Sequence, residues 1–208
     1  PPTTTEYYVG QDLKTDGMVV TVTFEDESTQ TTTAYTLSGY DKKTVGTQTV
    51  TVRYKGFSDT FDVTVKEAEA VSISGVTVED KTYDGKPIEY SGTPTSDNYS
   101  GDYEYIWETA DGTVLDSAPI NAGNYKLVVK VSDETFAHTG SVEIPFTINK
   151  AALTITAENK SIAFGMNAPE FTCKADGLVD GDTLSATYSC DYTVESPIGD
   201  YAIIPTDC

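Results

Sequence analysis

The chain has 208 residues and carries 33 acidic against 13 basic side chains, a net charge of −20. That balance excludes nucleic acid and anionic membrane surfaces as partners, because both demand cations in place of their counterions. No apolar run is longer than a few residues, so none reads as a membrane span. Solubility accounts for charge spread this evenly, and attraction for a cation such as calcium is the functional alternative. The length suits two or three modules of roughly 60–100 residues. The chain opens on Pro1 with no leader pattern, and is expected to be a segment of a longer polypeptide.

Thr is the commonest residue, with 33, and Tyr is frequent at 14. Such β-branched and aromatic residues favour pleated, half-buried surfaces. No segment keeps the 3.6-residue apolar period of an amphipathic helix. In chain order, Met18, Val20, Val22 and Phe24 share one parity, and Thr21 and Thr23 the other. Val50, Val52 and Tyr54 alternate with Thr49, Thr51 and Arg53, and Phe61, Val63 and Val65 continue the pattern. Tyr125, Leu127, Val129 and Val131 alternate with Lys126 and Lys130, and Val142, Ile144, Phe146 and Ile148 form a further inward set. One wet and one buried face is the mark of antiparallel sheets. Asp111-Gly112, between 103–107 and 113–115, reads as a hairpin, and Asp84-Gly85 and Asp180-Gly181 as further turns.

One phrase recurs. Val45-Gly46-Thr47-Gln48, Ala122-Gly123-Asn124-Tyr125 and Ile198-Gly199-Asp200-Tyr201 each lead into a strand, the last of these over 202–205. Gly46, Gly123 and Gly199 lie 77 and 76 residues apart, a period that means tandem modules. Val76-Thr77-Val78 before Lys81-Thr82-Tyr83-Asp84-Gly85 is echoed by Leu153-Thr154-Ile155 before Lys160-Ser161-Ile162-Ala163-Phe164-Gly165. The expected division is 1–67, 68–150 and 151–208, with the third module incomplete at its C-terminus. The junctions around 66–70 and 149–152 are too short for flexible tethers, so the expected shape is an elongated, semi-rigid rod.

These phrases carry a resemblance. Residues 4–65 resemble the bacterial Ig-like domain of group 3, through Thr5-Glu6-Tyr7-Tyr8-Val9-Gly10, Val20-Thr21-Val22-Thr23-Phe24 and Val45-Gly46-Thr47-Gln48-Thr49-Val50. Residues 71–150 resemble domains of the MBG/YDG type, through Lys81-Thr82-Tyr83-Asp84-Gly85-Lys86-Pro87 and Phe146-Thr147-Ile148-Asn149-Lys150-Ala151. Residues 151–208 resemble the related MBG repeat, through Gly177-Leu178-Val179-Asp180-Gly181-Asp182 and Ser196-Pro197-Ile198-Gly199-Asp200-Tyr201. The resemblance implies an all-β chain of tandem immunoglobulin-like sandwiches in a large secreted or wall-attached bacterial protein. It brings no catalytic residues.

The residues offer little chemistry. His138 is the single histidine and lies between Phe136 and Gly140 in an expected exposed loop, so it supports no Ser-His-Asp triad. Carboxylates abound, but no pair is singled out for glycoside hydrolysis. Asp180 and Asp182, or Glu25, Asp26 and Glu27, could contribute oxygens to calcium, yet neither stretch has EF-hand spacing. No catalytic, cofactor or metal residue is therefore assigned. Trp107 could stack on a sugar if exposed, but it shares parity with Tyr103 and Tyr105 and is expected in the core. Cys173 and Cys190 are both expected to face inward, as a disulfide or as two buried thiols, with Cys208 the odd one.

Three functions fit these features. The first is a non-catalytic spacer or stalk in an extracellular, cell-surface or cell-wall protein, with flanking domains of the same polypeptide as its neighbours. The second is an adhesion or binding module for a glycan or host protein. The third is an accessory segment beside a carbohydrate-active enzyme.

Overall fold

A computed structural model describes residues 1–207, and every regular element among them is a β-strand. The first six are β1 (Glu6–Tyr8), β2 (Val20–Thr23), β3 (Thr29–Thr32), β4 (Thr36–Ser38), β5 (Gly46–Tyr54) and β6 (Phe57–Lys66). They form one sheet ordered β1-β6-β5-β4 and a separate β2-β3 pair. β5 and β6 are an antiparallel hairpin in register from Gly46↔Val65 to Tyr54↔Phe57. Its two-residue turn has positive φ at Lys55 and Gly56, the arrangement that matches the right-handed twist of the strands. β1 closes the sheet in parallel with β6, placing Tyr7 opposite Val65.

The alternation expected for these strands holds. Val50, Val52, Val63 and Val65 are buried while Thr49, Arg53, Asp62 and Lys66 are exposed. Tyr7 joins that core, meeting Tyr40 edge-on and donating its hydroxyl to the Thr4 carbonyl at 2.8 Å. Phe24 departs from the expectation: it lies past the end of β2, in the turn where its N–H donates to Ser28 O, and is 49% exposed.

The next strands are β7 (Glu69–Ala70), β8 (Ser74–Thr77), β9 (Lys81–Thr82), β10 (Ser91–Thr95), β11 (Asp102–Thr109), β12 (Val114–Leu115), β13 (Gly123–Ser132), β14 (His138–Thr139) and β15 (Ser141–Asn149). Five make a sheet ordered β12-β11-β13-β15-β9, while β8 pairs with β10 and β7 with β14. Leu127, Val129, Val131, Phe146 and Ile148 are its buried residues, all from the predicted inward set. Trp107, expected in the core, is half-buried at its margin and packs edge-on against buried Phe146 with ring centroids 5.7 Å apart. Asp111-Gly112 makes the predicted hairpin between β11 and β12, with Gly112 N donating to Thr109 O and Thr109 N to Thr113 O.

The last strands are β16 (Thr154–Ala157), β17 (Cys173–Asp176), β18 (Thr187–Ser189) and β19 (Ile204–Asp207). They form two antiparallel pairs, β16-β17 and β18-β19. Leu184, Ala186, Tyr188, Cys190 and Tyr192 do share one parity, but they are half-buried rather than buried. Among the described residues none after Ile148 is fully buried. The third copy of the glycine phrase also differs from its siblings. Gly46 and Gly123 are the first residues of β5 and β13, whereas β19 begins at Ile204, five residues past Gly199, and Ile198 is 90% exposed.

The described residues gather into two compact units. One comprises 1–76, 92–105 and 128–143, and the other 77–91, 106–127 and the residues from 144 onward. The alternation in β13 makes a direct prediction. Leu127→Ala should cost about 2–5 kcal/mol, as deletion of a buried leucine side chain does. Val128→Ala, on the other face of the same strand, should cost less than half of that. Urea unfolding followed by Trp107 fluorescence measures both.

Candidate functional site

The lone histidine is not the exposed loop residue that the sequence predicts. His138 opens β14 and is half-buried, with its Nδ1 2.8 Å from Asp133 Oδ2. Its ring lies against Tyr99, centroids 5.1 Å apart. The reason is local: residues 133–138 fold back on the Asp133 carboxylate. One carboxylate oxygen accepts the Thr135 N–H at 2.8 Å and hydroxyl at 2.6 Å, and the other accepts the His138 N–H at 2.9 Å. The Asp133 side chain is 9% exposed. The Thr135 hydroxyl is the largest cause holding its pKa down at about 2, the His138 ring and backbone N–H groups add to it, and burial opposes them. Asp-x-Thr spacing is an Asx-turn signal, and is the feature that could have revealed this loop in advance.

The loop grips the segment at 66–71. β7 pairs in parallel with β14, His138 opposite Glu69 and Thr139 opposite Ala70. Glu69 N donates to Ala137 O at 2.7 Å and Val71 N to Thr139 O at 2.8 Å. From the other side Asn98 Nδ2 donates to Glu69 Oε1 at 2.8 Å and Ala70 O at 3.0 Å. Gln11 Nε2 reaches the same loop, donating to Thr135 O at 2.9 Å, while its Oε1 accepts the Tyr8 N–H. The short junction is thus a strand in its own right.

In the second unit, Tyr83 donates its hydroxyl to Asp182 Oδ1 at 2.8 Å, which raises the pKa of that hydroxyl above its ordinary value. Lys81 Nζ bonds Asp84 Oδ1 at 2.6 Å and the Lys86 carbonyl at 2.7 Å, stapling the turn beside it. An open hollow lined by Tyr83, Asn121, Lys150, Leu153, Leu178 and Asp182 adjoins the pair.

The other candidates are dispersed. Asp26 Oδ1 caps the Ser28 N–H and hydroxyl in the turn behind β2, which lowers its pKa. Glu27 sits in that turn at φ +64°. Among the described residues no three acidic, His or Cys side chains gather as they would around a metal ion. Cys173 and Cys190 are both free thiols, so the disulfide expected as one alternative is not formed. Cys173 opens β17 in the ladder with β16, and Cys190 follows β18 in the ladder with β19, which are separate sheets. Cys208 lies outside the described residues. Sequence reasoning missed the ion pair between Lys126 and Glu108, 3.2 Å apart with each side chain less than a fifth exposed.

Residues 1–65 match the family described as Bacterial Ig-like domain (group 3), and residues 153–207 match the MBG domain (YGX type). The chain carries a bacterial Ig-like domain and an MBG domain. The Ig-like domain thus spans β1 to β6, and the MBG domain holds β16 to β19. The chain is also 30% identical over 134 residues to pectate lyase L of Thermoclostridium stercorarium, covering 62% of this chain and 11% of that protein. It is 37% identical over 78 residues to an exo-beta-1,6-galactobiohydrolase of Bifidobacterium longum subsp. longum, covering 34% of this chain and 5% of the enzyme. A solved structure of surface layer protein SbsC, domains 4–9, aligns with 90% of this chain and 37% of its own at 14% identity and a TM-score of 0.22, too low to bear on the fold.

The loop of Asp133 gives a pH prediction. Its pKa lies below the ordinary 3.8, so its contribution to stability is complete above that value and is lost as pH falls through about 2. Carboxyl NMR titration should place the Asp133 midpoint near 2, and Thr135→Ala should raise it.

Proposed function

We propose that this chain is a non-catalytic spacer within a large secreted or surface-attached bacterial protein. On this reading its three β-sandwich modules, 1–67, 68–150 and 151–208, hold neighbouring domains of the same polypeptide apart. The observation that carries it is the junction at 66–71. A tether would leave this backbone to solvent, but Glu69, Ala70 and Val71 are paired with residues 137–139 and fastened by Asn98. Ordering a linker costs conformational entropy of about 1–2 kcal/mol per residue. A chain that meets that cost at its junction favours a fixed spacing over free movement. The structural contacts of residues that sequence reading weighed for chemistry support this reading: His138 completes a loop, Trp107 packs against Phe146 and Asp182 accepts a hydroxyl.

The accessory role beside a carbohydrate-active enzyme is the second reading, and the relatives favour it. Two enzymes named for polysaccharide or oligosaccharide substrates share this sequence over a small fraction of their length. A spacer of this kind would serve such an enzyme by positioning its catalytic domain, outside the cell.

Spin labels placed in 1–67 and 68–150 test the spacer by pulsed electron–electron resonance. A single narrow distance distribution is expected, and a broad one would sink the proposal. Affinity electrophoresis through pectate and galactan tests the binding alternative. Unretarded migration is expected of a spacer, and saturable retardation would replace spacing by glycan recognition.

A further inference from the structure

We infer that the turn behind the strand that pairs in parallel with a module's last long strand is a socket, in which a glycine's missing side chain makes room for an apolar loop residue of the module that follows. The inference rests on the three-module reading above and names the contacts that would fix the spacing.

Two sockets are built alike. β1 and β9 hold the same place, each paired in parallel with the last long strand of its own module, Tyr7 with Val65 and Lys81 with Ile148. The residue behind each strand continues the ladder in the same way: Val9 N donates to Lys66 O at 3.0 Å and Tyr83 N to Asn149 O at 2.8 Å. A glycine at positive φ follows closely in both, Gly10 at +98° and Gly85 at +73°. A Cβ at Gly10 would lie 3.2 Å from Phe136 Cδ1, and one at Gly85 would lie 3.2 Å from Val179 Cγ1. Such distances are tighter than ordinary van der Waals contact, so the apolar neighbour occupies the space a side chain would need.

Each socket also carries one polar tie. Gln11 Nε2 donates to Thr135 O beside the Phe136 plug, and Tyr83 donates to Asp182 Oδ1 beside the Val179 plug. The plugs come from different loops, 133–138 and 177–182, so the socket repeats while the plug does not. The Asp133 carboxylate holds the first plug's loop in shape, with Phe136 at φ +61°.

A third glycine supplies an internal control. Gly165 follows the end of β16 by eight residues, as Gly85 follows the end of β8. Its φ is +80°, yet no described atom lies within 4 Å of its Cβ position. A side chain there bears the same backbone cost as at Gly10 or Gly85 and displaces nothing.

The test uses the full chain with Gly10→Val, Gly85→Val and Gly165→Val, and spin-label pairs across each junction. Gly10→Val should broaden the distances between 1–67 and 68–150 alone, and Gly85→Val those between 68–150 and 151–207 alone. Gly165→Val should broaden neither. Equal broadening in all three would assign the effect to backbone strain and overturn the sockets, as would no broadening in any. If a valine variant does not fold, Phe136→Ala and Val179→Ala give the same readout from the plug side. Contacts between Gly10 Hα and the Phe136 ring, and between Gly85 Hα and a Val179 methyl, are expected in nuclear Overhauser spectra. Their absence overturns the sockets whatever the distances do. A broad distribution in the unsubstituted chain with those contacts present would sink the spacer reading and leave the sockets standing.

Discussion

The pairing of the backbone at 66–71 is the constraint on which the arrangement in the first unit depends. A peptide group taken from water must find a partner. Lys66 O finds Val9 N, Glu69 N finds Ala137 O and Val71 N finds Thr139 O. These three bonds tie the junction to two neighbours: Val9 to the turn of the Ig-like domain, Ala137 and Thr139 to the segment behind β13. Because β14 is only two residues long, its position depends on what precedes it. That is the Asp133 loop, whose four hydrogen bonds set the direction in which residue 138 enters the ladder. The histidine thus has a structural task that its chemistry would not announce.

Much of the fold was legible because half-buried strands write their faces into the sequence. Val50 and Val52, Val63 and Val65, and Leu127, Val129 and Val131 were placed inward by parity and are buried. Asp111-Gly112 was legible because the turn type demands those residues. What escaped has no period to read. A two-residue parallel pair such as β7-β14 leaves no alternation, so Glu69 and Ala70 looked like a junction and nothing more. Phe24 kept the parity of Val20 and Val22 but lies past the last ladder pair, Thr23↔Thr29, where parity ceases to mean depth. Gly199 matched Gly46 and Gly123 in phrase, while the residues behind it do not enter a strand until Ile204. Tyr83 and Asp182 lie 99 residues apart, a separation at which a single sequence carries no pairing signal.

The two matched domains stand on different energetic ground. In the Ig-like domain Tyr7, Val50, Val63 and Val65 form a core cluster in which each side chain is almost wholly removed from water. Full burial of such side chains is worth about 1.5–3 kcal/mol apiece. In the MBG domain the apolar side chains are half-buried or exposed, and its two strand pairs are short. Isolated two-stranded pairs are marginal in water. Ring contacts take on more of the load there, Phe171 against Tyr188 and Tyr192 against Tyr201. The Tyr192 hydroxyl also donates to Met166 O at 2.6 Å, tying residues distant in sequence.

Charge explains why the ties are of the kind observed. At a net −20 the chain repels itself, and ion pairs are scarce currency when acids outnumber cations by 33 to 13. The lysines that pair mostly brace strands or turns locally, as Lys81 does with Asp84 and Lys130 with Glu104. Beside one exposed ion pair, Lys66 with Glu6, the contacts around 66–71 are amide and backbone bonds: Gln11 to a carbonyl, Asn98 to a carbonyl and a carboxylate, and peptide to peptide. Bonds between neutral groups are not weakened by dissolved salt as surface ion pairs are. Salt also screens the repulsion among the acids. A junction fastened mainly by neutral donors and acceptors is therefore less sensitive to ionic strength than one held by surface ion pairs.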